Sequence, residues 1–148
     1  MKKILLLICL FCSISITAFC ADIDLNNKVR YEKLCDDLTS NVYIDKDSIK
    51  VLRNEYPFYS IQGDMITQVF TDDCNIIRWT VKYFYDKRTK DVQYQCIYYV
   101  CYDQKGNIID NWVSHDNKLY SVNDSAATSL GCMRLFVICF NKGFQNDW

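Results

Sequence analysis

Six cysteines, at positions 35, 74, 96, 101, 132 and 139, lie beyond the first 21 residues of this 148-residue chain, and their chemistry is the first thing the sequence must account for. Thiols in that number can hold a soft metal, act as nucleophiles or oxidise in pairs. No two of them form a C-x-x-C pair, so neither a thioredoxin-like redox site nor a zinc-knuckle spacing is present, and no metal site is expected. His115 is the only histidine and stands next to Asp116 in a polar stretch. A Cys–His pair can be drawn from it, but nothing in the spacing supplies a third group to orient the imidazole, and a surface loop is its expected place. The chain contains no glycine-rich phosphate loop, no Gly-x-Ser-x-Gly elbow and no His-Glu-x-x-His, and its carboxylates are scattered. Neither a catalytic site nor a cofactor is therefore expected, and oxidation to disulfides is what remains for the cysteines, provided the chain leaves the reducing cytoplasm.

The amino terminus provides that condition. Met1-Lys2-Lys3 precedes an apolar run from Ile4 to about Ile16, and Thr17-Ala18-Phe19-Cys20-Ala21 follows before the acidic Asp22. A charged start, an apolar middle and small residues at the end make a secretory signal. The run is interrupted by Ser13, Ser15 and Thr17 and falls short of the roughly 20 apolar residues a spanning helix needs, so a membrane-spanning protein is not expected. Cleavage is expected after Cys20 or Ala21. The bulky Phe19 stands where a lipidation site wants a small residue, which favours a free chain over an anchored one. Residues 1–21 are thus read as a signal peptide and 22–148 as one domain, exported to the periplasm, the cell surface or the medium. Without Lys2 and Lys3 the exported part carries 15 basic against 18 acidic side chains, a net charge of −3, which argues against nucleic acid as a partner.

The elements that would position these residues read as strands followed by a helix. Val29 to Asp36 suits a first strand, and Asn41 to Lys50 a second, broken by a turn at Asp45-Lys46-Asp47-Ser48. A strand from Met65 to Thr71 would be entered through a Gln62-Gly63-Asp64 turn. Ile77, Trp79, Val81, Tyr83 and Tyr85 alternate with Arg78, Thr80, Lys82 and Phe84, the clearest period-two segment, with one buried face and one basic face. The loop Asp86 to Asp91 and the turn Asp103-Gln104-Lys105-Gly106 then join Val92–Tyr102 and Asn107–Val113 into an antiparallel meander. Val122, Ala126, Leu130, Met133, Val137 and Phe140 recur at helical spacing. Asp124 or Ser125 suits the N-cap of that helix, and Lys142 with Gly143 suits its other end. Gly131 sits inside it at a cost of roughly 1 kcal/mol against alanine, so close packing on the sheet is expected there. The fold class expected is α+β: an antiparallel meander of about five to six strands with a C-terminal helix packed on it.

On this frame Arg78, Lys82, Lys87 and Arg88, with Lys90, gather on one strand face and its loop, where they could meet an acidic protein or a glycan. A solvated edge would place them equally well. The tyrosines and phenylalanines from Tyr83 to Tyr102 could form an adhesive surface, although aromatics also favour half-buried pleated sheet in general. Cys96 and Cys101, about 16 Å apart on a straight strand, would point to opposite faces and could not pair with each other. Cys132 and Cys139 would lie about 10 Å apart along the helix.

The run NVYIDKDSI (41–49) resembles the Tyr-Tyr-Ile-Asp-x-x-Ser-Ile signature near the start of the surface-adhesin protein E family. In that family a cysteine and an asparagine precede a strand ending in an aromatic and an aspartate, and Asp73-Cys74-Asn75-Ile76-Ile77-Arg78 running on to Tyr83-Phe84-Tyr85-Asp86 is similar. Val137-Ile138-Cys139-Phe140-Asn141-Lys142-Gly143 is similar to the family's closing apolar helix with its second cysteine. The three matches fall in the same order and span most of residues 22–148, with Asp91 to Trp112 as additional hairpin material. The resemblance implies a Cys74–Cys139 disulfide, which would stabilise by roughly 4 kcal/mol in the chain-entropy model. It also implies an exported, non-enzymatic surface or envelope protein that contacts a protein or glycan, host extracellular matrix included. The alternative is a periplasmic structural or assembly protein without an adhesive role, its aromatic face buried in a homodimer or larger homo-oligomer.

Overall fold

The described residues form an antiparallel sheet of six meander strands with one helix packed on it, the α+β arrangement expected. A computed structural model describes residues 23–36, 38–70, 75–124 and 126–143; the expected signal, Cys74 and Ser125 lie outside the described residues. The strands are β1 (Tyr31–Asp36), β2 (Ser40–Glu55), β3 (Phe58–Val69), β4 (Ile76–Asp86), β5 (Asp91–Tyr102) and β6 (Ile108–Val113), each hydrogen-bonded to the next. A two-residue strand, β7 (Tyr120–Ser121), pairs with Gln93 and Tyr94 of β5, along the part of β5 that β6 leaves uncovered. A 3-10 turn (Val122–Asp124) then leads into α1 (Ala126–Phe140).

β4 forms where its alternation predicts, with Val81, Tyr83 and Tyr85 buried toward α1. Two expected turns are instead strand. At Asp45 to Ser48 the pairing with β3 jumps from Asp45 opposite Asp64 to Lys50 opposite Gln62, so the extra residues are absorbed as a bulge and β2 runs on to Glu55. The turn chemistry is present but local. The Asp47 amide donates to Asp45 Oδ1 at 3.2 Å, and Ser48 Oγ donates to the Asp45 carbonyl at 2.6 Å while accepting from the Asp64 amide at 2.7 Å. Gln62-Gly63-Asp64 lies inside β3, where a side chain on Gly63 would stand 3.1 Å from Leu135 Cδ2. That glycine marks where the helix comes close, and the chain reverses earlier, at Tyr56-Pro57.

α1 spans the expected residues but rests on a different face. Gly131, Cys132, Leu135 and Phe136 are buried, whereas Ala126 is exposed and Leu130 is 40% exposed. Apolar residues ring most of this helix, so periodicity alone does not choose the side, and the smallest residues do. A Cβ on Gly131 would lie 2.7 Å from Met65 Sδ, the close approach its sequence position predicts. Arg134 reaches across to Glu32 with two hydrogen bonds and ties the helix to β1. The helix ends at Asn141, at φ 55°, whose amide donates to the Val137 carbonyl at 2.9 Å, rather than at Gly143. Beneath α1 lie Val42, Ile44, Ile61, Met65, Val81, Tyr83 and Tyr85. Tyr83 donates its hydroxyl to Met65 Sδ at 3.0 Å, and burial holds its phenol well above the ordinary range.

Candidate functional site

Strand alternation divides the sheet. Val81, Tyr83 and Tyr85 face α1, so Thr80, Lys82, Phe84 and Asp86 point to the opposite, helix-free face together with their register neighbours. The first row across that face is Asp45, Asp64 and Thr80. Asp45 is fully buried and Asp64 only 7% exposed, so both carboxylates need partners. Arg30 grips Asp45 through Nε at 2.9 Å and Nη2 at 2.7 Å. Arg78 donates to Asp64 from Nε at 2.7 Å and again from Nη2, and Nη2 also stands 3.6 Å from Asp45; Thr80 Oγ1 donates to Asp64 at 2.7 Å. Two buried carboxylates and two guanidiniums thus balance in one network, with the exposed Asp47 at its edge, 3.8 Å from Arg30 Nε. The Arg30 guanidinium is held even more firmly protonated than usual by its hydrogen bonds to Asp45. Arg78, read from the sequence as a partner-binding cation, is committed to this network.

Lys82 stands one row further, aligned as Lys50, Gln62, Lys82 and Gln95 on β2 to β5. Neither lysine takes part in an ion pair among the described residues. Gln95 donates to the Asp116 carbonyl at 2.9 Å and pins the loop after β6. The next row is Arg53, Ser60, Phe84 and Gln93, and beyond it come Phe58, Asp86 and Asp91. There the guanidiniums of Arg53 and Arg88 stack on the one ring of Phe58, 4.8 and 4.7 Å from its centre. Arg88 is also bidentate on Asp86 at 3.1 and 2.8 Å, which holds the Asp86 carboxyl below its usual range. Lys87 lies 5.7 Å over Tyr56. Lys90 occupies the tight turn after them at φ 57°. A cavity of about 470 Å³ opens among Arg53, Phe58, Ser60, Phe84, Asp86 and Gln93.

Sequence reading located Lys82, Lys87 and Arg88 but missed Arg53, Phe58, Lys50 and Gln62. Register shifts in β2 between Asp45 and Lys50 and between Val51 and Arg53 break the alternation that would have shown Lys50 and Arg53 on one face. The aromatic set divides as well, with Tyr83 and Tyr85 in the core while Phe58 and Phe84 belong to the open face.

The cysteines depart from expectation. Cys139 is a free thiol, so the Cys74–Cys139 bridge is not formed; it lies half-buried at the edge of the core, on a helix whose inward face is filled by Leu135 and Phe136. Cys35, Cys96 and Cys132 are also free, whereas Cys101 is disulfide-bonded. Cys96 and Cys101 do not point to opposite faces. A bulge at Ile97 sets Cys96 opposite Val81 and Cys101 opposite Ile77, both in the helix-side set. Cys96 lines a second cavity, of about 320 Å³, with Val42, Met65, Trp79, Tyr94 and Ala127. Burial raises the thiols of Cys96, Cys132 and Cys139, Cys132 most, which suppresses their thiolates. His115 is exposed in the loop after β6. Among the described residues no group of three or more His, Cys, Asp or Glu side chains is placed to hold a metal ion, and no helix is long and apolar enough to cross a membrane.

No family model, no curated protein and no solved structure matches this chain.

Proposed function

We propose that this is an exported, non-enzymatic binding protein of the adhesin E kind, acting at the cell surface or in the envelope through the helix-free face of its sheet. One observation carries the reading: Lys50, Lys82 and Arg53 stand with Phe58 and Phe84 on adjoining strands of that face, and Arg88 reaches Phe58 from the turn after β4, cations and apolar rings together. Such a surface offers charge for attraction and aromatic area for contact, and its backbone is already ordered by the ladder, so little entropy is lost on binding. The matches of NVYIDKDSI and of the Cys139 helix to the family support the same reading, and the signal-like start supplies export.

Purified residues 22–148 immobilised against extracellular-matrix proteins should bind at least one of them, with affinity falling as salt is raised. Absence of binding, beside an adhesin that does bind under the same conditions, removes the reading. The second reading, a periplasmic assembly protein, is favoured by β6, an edge strand on which Ile108, Ile109, Trp112 and Val113 are all 44–53% exposed. A protein confined to the periplasm and untouched by protease added to intact cells supports it.

A further inference from the structure

We infer that the cavity beside Phe84 is a binding site for an acidic sugar, a saccharide unit bearing a carboxylate or sulfate; this deepens the binding reading above and rests on it. The chemistry of the site is graded along the sheet. Just outside the cavity, one row along the same face, Lys50 and Lys82 stand two strands apart, about 10 Å between their backbones, and flank Gln62; among the described residues no acid is paired to either. In the middle, Phe84 lies between Ser60 and Gln93, an aromatic face beside a hydroxyl and an amide. At the other end Asp86 and Asp91 line the cavity as acceptors, with Arg88 donating to Asp86.

A ligand that satisfies all three parts needs an anionic group, an apolar ring face and hydroxyl donors. Acidic sugars carry the three together. Phosphate or a nucleic-acid backbone would meet the lysines but bring its charge against Asp86 and Asp91. An acidic peptide would likewise bring its side-chain charge against Asp86 and Asp91, and offers few hydroxyl donors. The volume, about 470 Å³, suits one or two sugar units, near the lower end of ordinary small-ligand sites. Arg53 and Phe58 line the far wall and Arg88 stacks on Phe58; both guanidiniums are partly spent, on Glu55 at 3.4 Å and on Asp86, so the lysines supply the free positive charge.

The test titrates residues 22–148 with a uronic-acid oligosaccharide, a sulfated one, a neutral one of equal length and polyglutamate, at low and high salt. The acidic sugars are expected to bind, the sulfated and carboxylated arms identifying which anion is preferred. The double variant Lys50→Gln, Lys82→Gln should weaken them about tenfold at low salt, with the loss shrinking as salt screens the lysines in the parent. Phe84→Leu should weaken acidic and neutral sugars alike. Both variants are checked for unchanged circular dichroism, and since all three side chains stand on the open face, folding is preserved. Equal binding of the neutral sugar, equal binding of polyglutamate, or binding unaffected by the lysine pair overturns the inference. Matrix-protein binding that persists in the lysine variant, while no sugar binds, leaves the general binding reading standing and removes this one; loss of both kinds of binding from the parent removes both.

Discussion

Replacing Arg78 by alanine should unfold the protein far more readily than replacing a surface cation would. Arg78 gives Asp64 two hydrogen bonds and approaches Asp45 at 3.6 Å, and the side chains of those carboxylates are only 10% and 0% exposed. Its removal leaves Asp45 to Arg30 and strips Asp64 of its guanidinium, with Thr80 as Asp64's other side-chain donor. Breaking one partner from a fully buried ion pair costs about 3–5 kcal/mol. The Arg78 side chain is 25% exposed, so water reaches part of it and the expected loss falls to about 2–3 kcal/mol. For a domain of this size that lowers Tm by about 10 °C. Asp64→Asn should cost less, since Arg78 keeps Asp45 within reach and remains partly hydrated. The pair Asp64→Leu with Arg78→Met removes both charges together and should recover most of the loss, because a matched apolar pair leaves nothing buried and unpaired. Urea unfolding followed by circular dichroism measures all three. An Arg78→Ala protein within 1 kcal/mol of the parent, with matrix or sugar binding lost, would refute the structural assignment and return Arg78 to the ligand.

Gly131→Ala gains up to about 1 kcal/mol of helix propensity but drives a methyl against Met65 Sδ, which also accepts from Tyr83; a net loss of about 1–2 kcal/mol is expected in urea unfolding. In timed alkylation read by mass spectrometry, fully buried Cys132 should react only as the domain opens, and reaction as fast as Cys35 would misplace α1. Mapping of the unreduced protein should return Cys139 alkylated and Cys101 cross-linked; a Cys74–Cys139 peptide would reinstate the bridge that the family resemblance implies. Tyr83, its phenol raised by burial, contributes stability in full below the unfolded value of about 10 that is lost as pH climbs toward the folded one. Tyr83→Phe should therefore flatten the alkaline fall in stability, and an unchanged profile would refute the burial argument.

The parts of the fold legible in the sequence are those where one local signal had no competitor. Alternation from Ile77 to Tyr85 placed β4 because polar residues occupy every second position, and the late apolar run placed α1 because it outlasts any strand. Asp45-Lys46-Asp47-Ser48 and Gln62-Gly63-Asp64 misled because their turn chemistry is real but serves other ends. The first shapes a bulge that hands Ser48 to the Asp64 amide, and the second provides a glycine on which Leu135 can rest. Both uses depend on partners distant along the chain, which no window of neighbouring residues contains. The face of α1 was misjudged for the same reason: Met65, 66 positions before Gly131, decides which side of an apolar helix can approach.

Arg78 and Lys82 show why the helix-free face was half legible. They are four residues apart on the same side of one strand, and nothing local distinguishes them. The difference comes from β3, where Arg78 has the buried Asp64 one register step away and Lys82 has Gln62 directly opposite. A cation beside a buried carboxylate is consumed by the fold, whereas one beside a neutral amide keeps its charge for something outside. The consumed pair still serves the free one. With Asp45, Asp64, Arg30 and Arg78 locked together across β2 to β4, the strands that carry Lys50, Gln62 and Lys82 are fixed in register one row away. Spacing across the face is then set by the ladder, at about 4.8 Å per strand, rather than by side-chain searching. A ligand meeting that row loses little of its binding energy to ordering the protein.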